Sequence, residues 1–186
     1  ISGVYLGNVP IDWQIHDTYY VVGHLHYVLF GGSVFGMAAA FYYWWPKLFG
    51  KMLDEGIGKV HFWLQLIGFN LTFFPMHILG VRGMPRRIYD YAPDRGWVFW
   101  NFVETVGTLI LGVAFLVFLY NVWITRKRNV PAPSDPWDGY TLEWATTSPP
   151  PAHNFDRLPP ILSERPLRDL RLARAARVAA PQSGER

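Results

Sequence analysis

The stretch 16-HDTYYVVGHLHYVLFGG-32 places two histidines, His24 and His26, two positions apart in a run whose only formally charged residue is Asp17 near its start. From Thr18 to Pro46 there is no Asp, Glu, Lys or Arg. A helix needs roughly 20 predominantly apolar residues to cross a hydrocarbon core of about 30 Å. Two further uncharged runs, 60–81 and 105–125, meet the same requirement. The chain therefore reads as an all-α integral membrane helical bundle with three transmembrane helices, followed by an irregular Pro-rich C-terminal tail.

Composition agrees. Hydrophobic residues make up 51% of the 186, and nine Trp and ten Tyr suit rings that favour the water–lipid boundary. Trp44 and Trp45 end the first run, Trp63 opens the second, and Trp97, Trp100 and Trp123 flank the third. The absence of Cys excludes disulfides, iron–sulfur clusters and thiol catalysis. The chain opens on Ile without a signal-peptide pattern, and is expected to be part of a longer polypeptide.

The expected segments run as follows. Residues 1–17 form a Gly- and Pro-containing loop. Residues 18–46 form the first helix, capped by Asp17 or Thr18 and stopped by Pro46. Gly23, Gly31, Gly32 and Gly36, with Ala38 to Ala40, are small residues of the kind that let membrane helices pack closely. A polar loop over 47–59 precedes a second helix over 60–80. A loop over 81–96 precedes a third helix over 97–125, stopped by 126-RKR-128. Residues 126–186 form the tail, where 149-PPP-151 and 158-LPPI-161 break helical periodicity. The segment 165-RPLRDLRLARAAR-177 has Arg at every third position, which drifts around a helix and makes no single basic face. It suits solvent or lipid headgroups better than nucleic acid. There is no internal repeat.

Lys and Arg set the orientation. The 126-RKR-128 cluster places the tail in the cytoplasm, and with three spans the 47–59 loop, with its three Lys, lies on the same side. His16, Asp17 and the 81–96 loop are then outside. That loop carries four Arg against the usual bias, either solvated or paired with an anion at the outer surface. Arg86 and Arg87 follow a Pro-fixed turn and suit bidentate pairing with carboxylates.

Each residue turns a helix by about 100°, so His24 and His26 point about 200° apart. They cannot share one metal from a regular helix. They can ligate two different centres on opposite sides, and haem iron takes one axial imidazole readily while haem propionates would meet Arg86 and Arg87. The alternative is hydrogen-bonded packing, although an ionisable group in a membrane is a functional hypothesis by default. At the outer mouth, His16 and Asp17 could hold Mg²⁺ through waters, with capping the competing role for Asp17. Asp12 is a loop carboxylate or the partner of a protonated propionate. His61 and His77 read as packing residues, and Glu104 as solvated or paired.

HDTYYVVGHLHYVLFGG, NLTFFPMHILGVRGMPRR and DPWDGYTLEWATTSPPPAHNF together closely resemble the C-terminal part of cytochrome c oxidase subunit I, a haem–copper oxidase, from about Ile1 to Ile161. The stretch 43-YWWPKLFGKMLDEGIGK-59 and the TLEWATTSPPP tail look bacterial, which implies a bacterial cell membrane. The family's catalytic subunit has about twelve helices of bilayer-spanning length, of which this chain would hold the last three. The resemblance implies that His24 is the axial ligand of the high-spin haem, where oxygen is reduced, and His26 that of the low-spin haem. It implies that His16 and Asp17 bind Mg²⁺ with a further ligand from subunit II. Arg86 and Arg87 would hold haem propionates, with Asp12 near a propionate of the high-spin haem and Tyr19 near one of the low-spin haem. The implied cofactors are two haems of the A type, copper and Mg²⁺. The implied partners are the remaining N-terminal part of subunit I, subunits II and III, cytochrome c and the bilayer, with no nucleic acid.

Two positions depart from the family pattern. Leu25 stands where many members have Phe, and Gly23 replaces a common Ala, which is expected to leave more room beside the ligand ring. The copper-ligating histidines, the cross-linked tyrosine, the second low-spin ligand and the proton-channel residues all belong upstream of Ile1. This chain alone is therefore not expected to reduce oxygen or translocate protons. A quinol oxidase of the same family shares nearly all of these motifs. A non-enzymatic transporter module using the histidines as a proton relay is the reading from another class.

Overall fold

The computed structural model describes residues 1–179. Seven α-helices occur among them, with no strand beyond two isolated bridges. They are α1 (Ser2–Leu6), α2 (Val9–Ile15), α3 (Tyr19–Leu29), α4 (Phe35–Phe49), α5 (Glu55–Val81), α6 (Val98–Arg128) and α7 (Pro166–Ala179). A π-helical turn at Phe30–Val34 joins α3 to α4, so the first candidate span runs unbroken over Tyr19–Phe49. With α5 and α6, three helices are long and apolar enough to cross a membrane.

The helix boundaries depart from expectation for physical reasons. The expected loop over 1–17 is largely helical: Gly7 closes α1, and Pro10, with its φ preset, opens α2 behind an extended Asn8. Pro46 does not stop the first span. It removes one N–H, yet the helix continues to Phe49 and ends where Gly50 turns left-handed (φ 64°) and donates to the Pro46 carbonyl at 2.8 Å. α5 starts at Glu55 rather than Val60, because the Asp54 side chain accepts from the Ile57 N–H at 3.0 Å. Similarly, 126-RKR-128 forms the last turn of α6, where cations complement the helix dipole, and left-handed Asn129 stops it. Apolarity marks where a helix meets lipid, whereas caps mark where it ends.

The chain forms two compact units. The first comprises Ile1–Tyr42 and Asp54–Ile124. Its core is an aromatic seam in which Phe69, Phe73 and Met76 of α5 take in Tyr19, Val22, Tyr27 and Phe30, continued by a cluster of Leu79, Met84 and Trp97. Of the glycines expected to allow close packing, Gly32 and Gly36 face open space among the described residues. The tightest approach involves Gly80, where a Cβ would overlap the backbone of Tyr20. At the other end of this unit the fully buried Asn121 side chain clasps Asp54. Its Oδ1 accepts from the Asp54 N–H and its Nδ2 donates to the Asp54 carbonyl, each at 2.9 Å.

The second unit comprises Tyr43–Leu53 and the chain from Thr125. Lys47 is buried and donates to the carbonyls of Ser134, Thr146 and Thr147 at 2.9, 2.6 and 3.2 Å, while its Nζ lies 5.1 Å from the centre of the Trp144 ring. Trp144 is 1% exposed, and its indole donates to the Tyr43 hydroxyl at 2.9 Å. The described part of the tail is therefore packed and carries a helix, rather than being irregular throughout. α7 forms because Ser163 Oγ accepts from the Arg165 N–H at 3.0 Å and donates to Asp169 at 2.6 Å, with Pro166 in the first position.

Asn121→Ala removes the acceptor of the Asp54 N–H and one of the two donors to the Asp54 carbonyl, which keeps the Gly58 N–H at 2.9 Å, and should cost about 1–3 kcal/mol. Thermal unfolding of the membrane complex containing the chain is expected to shift down by several degrees, whereas Arg95→Ala, at an exposed site, should leave it unchanged.

Candidate functional site

The N-terminus of α3 is fixed by two backbone hydrogen bonds to the turn after α5. Tyr19 N–H donates to the Met84 carbonyl at 2.8 Å and Arg86 N–H to the Asp17 carbonyl at 3.0 Å, with an antiparallel bridge between Thr18 and Pro85. Thr18, not Asp17, caps α3. Its Oγ1 accepts from Tyr20 N–H at 3.2 Å and donates to the Ile15 carbonyl at 2.6 Å. Asp17 sits in the left-handed region (φ 57°), which a short polar side chain tolerates, and its carboxylate is left for Arg86 and His16.

His24 and His26 meet different neighbours, as their spacing on a regular helix requires. His24 turns Nδ1 to Ser2 Oγ of α1 at 2.9 Å. Gly3 lies against the same ring, with room for no more than a tight Cβ, 3.1 Å from Cε1. His26 turns toward α5, where it stacks on Phe73 with centroids 4.3 Å apart and planes 13° from parallel. Its Nδ1 lies 2.8 Å from the Val22 carbonyl. A carbonyl only accepts, so Nδ1 carries the proton and the lone pair is on Nε2, the tautomer that a metal-ligating imidazole uses.

The polar rim assembles in part. Asp17 pairs with Arg86 and lies 3.4 Å from His16 Nε2, while His16 Nδ1 is 3.8 Å from the Asp12 carboxylate. Arg86 is partly buried in that pairing. Arg87 is exposed, takes a left-handed backbone (φ 66°) and makes no ion pair among the described residues. Among the described residues no group of three or more His, Asp or Glu is arranged to hold a metal, so His16 and Asp17 offer two donors and no complete site. Tyr19 packs into both core clusters rather than onto the rim.

Other expectations change. Gly23 faces α5, where a Cβ would come within 2.9 Å of His77, so the missing methyl makes room for His77 and not beside a ligand ring. His77 packs edge-on to Tyr20 and Tyr27, and His61 is buried against Tyr42, as packing residues. Glu104 is neither solvated nor paired: it is 5% exposed, and its Oε1 has no hydrogen-bond partner among the described residues. It lies one turn along α6 from Trp100, on the same face of that helix. An apolar groove of about 540 Å³, lined by Phe30, Met37, Phe41, Leu111, Phe115 and Phe118, runs between α4, α5 and α6. Sequence reading missed Ser2, Phe73 and the Met84 carbonyl. Phe73 had a signal, since 72-TFF-74 places an aromatic at the depth of His26, but its pairing is tertiary.

Comparison with known proteins places these features in a family. The model for "Cytochrome C and Quinol oxidase polypeptide I" matches residues 1–126. A putative cytochrome c oxidase subunit 1-beta of Streptomyces coelicolor is 51% identical over 172 residues, covering 91% of this chain and 30% of the relative. The cytochrome c oxidase subunit 1 of Bacillus sp. strain PS3 is 48% identical over 160 residues, covering 86% and 26%. A probable subunit 1-beta of Nocardia farcinica is 49% identical over 172 residues, covering 91% and 29%. The chain thus spans between a quarter and a third of the length of these relatives. With the match running through both histidines, the Asp17–Arg86 pair and all three long helices, the chain belongs to the cytochrome c and quinol oxidase polypeptide I family.

Proposed function

We propose that the chain is the C-terminal part of the catalytic subunit of a terminal respiratory oxidase. That subunit would reduce O₂ to water with electrons from cytochrome c and couple this to proton translocation. The observation that carries the reading is the divergence of His24 and His26, one helix presenting two imidazoles to two different sides. Haem iron, when bound, supplies the electron transfer and oxygen chemistry. The chain's own contribution is to place and orient ligands. His26 is held by its Nδ1–H to Val22 and by the Phe73 face, which leaves Nε2 as an axial donor to a low-spin haem. His24 is steadied by Ser2 and would serve the high-spin haem. The lack of a Cβ at Gly3 keeps α1 close to that ring.

Arg87, exposed and unpaired among the described residues, is the cation available to a propionate. Arg86 would act while bound to Asp17 or exchange that partner. Asp12 would lie near the high-spin propionate and Tyr19 beneath the low-spin one. His16 and Asp17 would give Mg²⁺ two of its ligands, the rest coming from waters and subunit II, since Mg²⁺ keeps several waters. Copper would be held by residues outside this chain. The haems are read as A type, and subunits II and III as neighbours, with the 126-RKR-128 end cytoplasmic and the Arg86–Arg87 loop outside a bacterial cell membrane. The names of the relatives favour cytochrome c as donor. A quinol oxidase is the alternative, because the matching family includes both.

His26→Ala in the complete oxidase is expected to remove the low-spin haem spectrum, and His24→Ala to abolish oxygen reduction. If optical spectra of both variants retained both haems with full activity, the ligand assignment would fall. A purified complex with no Soret band would sink the oxidase reading altogether. For the cation site, Mn²⁺ exchanged for Mg²⁺ should give an electron paramagnetic resonance signal that Asp17→Asn broadens or removes; an unchanged signal would place the ion elsewhere.

A further inference from the structure

Helix α7 belongs to the same compact unit as the last turns of α4 and α6. Those turns end two helices long and apolar enough to span a membrane, so this unit begins at a membrane surface. The link to α7 is short. Lys47, near the end of α4, binds three carbonyls of the 134–147 segment. Arg171 of α7 pairs with the Asp135 carboxylate and donates to the Asp138 carbonyl at 3.0 Å, and Leu167 N–H donates to the Tyr140 carbonyl at 3.2 Å.

The threefold arginine spacing decides what remains free. Successive positions step back about 60° around a helix of 3.6 residues per turn. With Arg171 turned inward beside Leu167 and Leu170, Arg168 and Arg165 are carried to the outer side, where both are exposed. Neither makes an ion pair among the described residues. Arg174 instead lines an inner cleft with Asp135, Asp138 and Arg157, whose charges offset one another. Exposed apolar side chains accompany the free arginines: Leu172 on α7 itself, at 57% exposure, with Leu158, Ile161 and Leu162 just before it. Arginine beside exposed leucine on one helix is the pattern of an interfacial helix on an anionic bilayer.

We infer that α7 docks through Arg165, Arg168 and Leu172 onto anionic phospholipid headgroups of the membrane that α4 and α6 cross. The docking would tie the C-terminal segment to the bilayer. It requires that those helices span a membrane and is independent of the redox reading.

The test uses the full chain in its native complex, reconstituted in nanodiscs of phosphatidylcholine with or without phosphatidylglycerol. Backbone hydrogen exchange over 166–179 is read by mass spectrometry. Phosphatidylglycerol is expected to slow exchange about thirtyfold, given roughly 1 kcal/mol for each of the two basic side chains near an anionic surface. High salt should reverse the slowing. The Arg165→Gln/Arg168→Gln variant should lose it while exchange over 142–147 stays unchanged, which separates lost docking from misfolding. Equal exchange in both lipids, or a phosphatidylglycerol effect that survives in the variant, would overturn the inference. So would protection that persists in detergent, which would assign the surface to a neighbouring protein.

Discussion

The candidate ligand site depends on a backbone strap of two hydrogen bonds. Tyr19 and Arg86 donate across to Met84 and Asp17, so the start of α3 and the turn after α5 hold each other. Burial of polar backbone away from water is tolerable only when it is paired. Here the pairing sets the depth and rotation of α3, and therefore of His24 and His26. The same strap brings Asp17 to Arg86, so the histidines and the charged rim cannot shift independently. Gly80 makes the strap possible, because α5 passes Tyr20 with no space for a methyl group.

The fold was legible in the sequence where lipid dictates it. Three charge-free runs gave three helices, and the period of 3.6 sent His24 and His26 apart, because both constraints act on neighbours along the chain. What was illegible depends on partners distant in sequence. Pro46 reads as a stop, yet the helix passes it and the backbone ends only at Gly50. GNVP reads as loop, yet it divides two short helices. Lys47 reads as a loop cation, but three carbonyls 87, 99 and 100 residues away bury it. The room that Gly23 leaves is taken by His77, a neighbour on α5 that the sequence does not identify.

The candidate site divides along the same line. The ligand identities, the Arg pair and the His16–Asp17 pair stand in the sequence as motifs. Arg86 already engages Asp17 while Arg87 does not, and that asymmetry needs coordinates. Adjacent residues that look interchangeable are separated by the left-handed backbone of Arg87, which turns one side chain in and the other out.

The orientation of His26 shows how little is needed to prepare a ligand. The Val22 carbonyl has two lone pairs, one for the helical N–H four residues on and one for the imidazole of that same residue. The regular helix therefore supplies the acceptor that fixes the tautomer once the ring is turned onto it, provided the helix stays regular through position 26. It does: the π turn begins at Phe30, after both histidines, and the widening falls where Gly31 and Gly32 leave the helix free to adjust. Placing that irregularity one turn earlier would break the Val22 to His26 register and release Nδ1. Phe73, stacked on the ring from α5, would then be left to restrain its rotation. The position of the π turn is thus a condition for the ligand geometry.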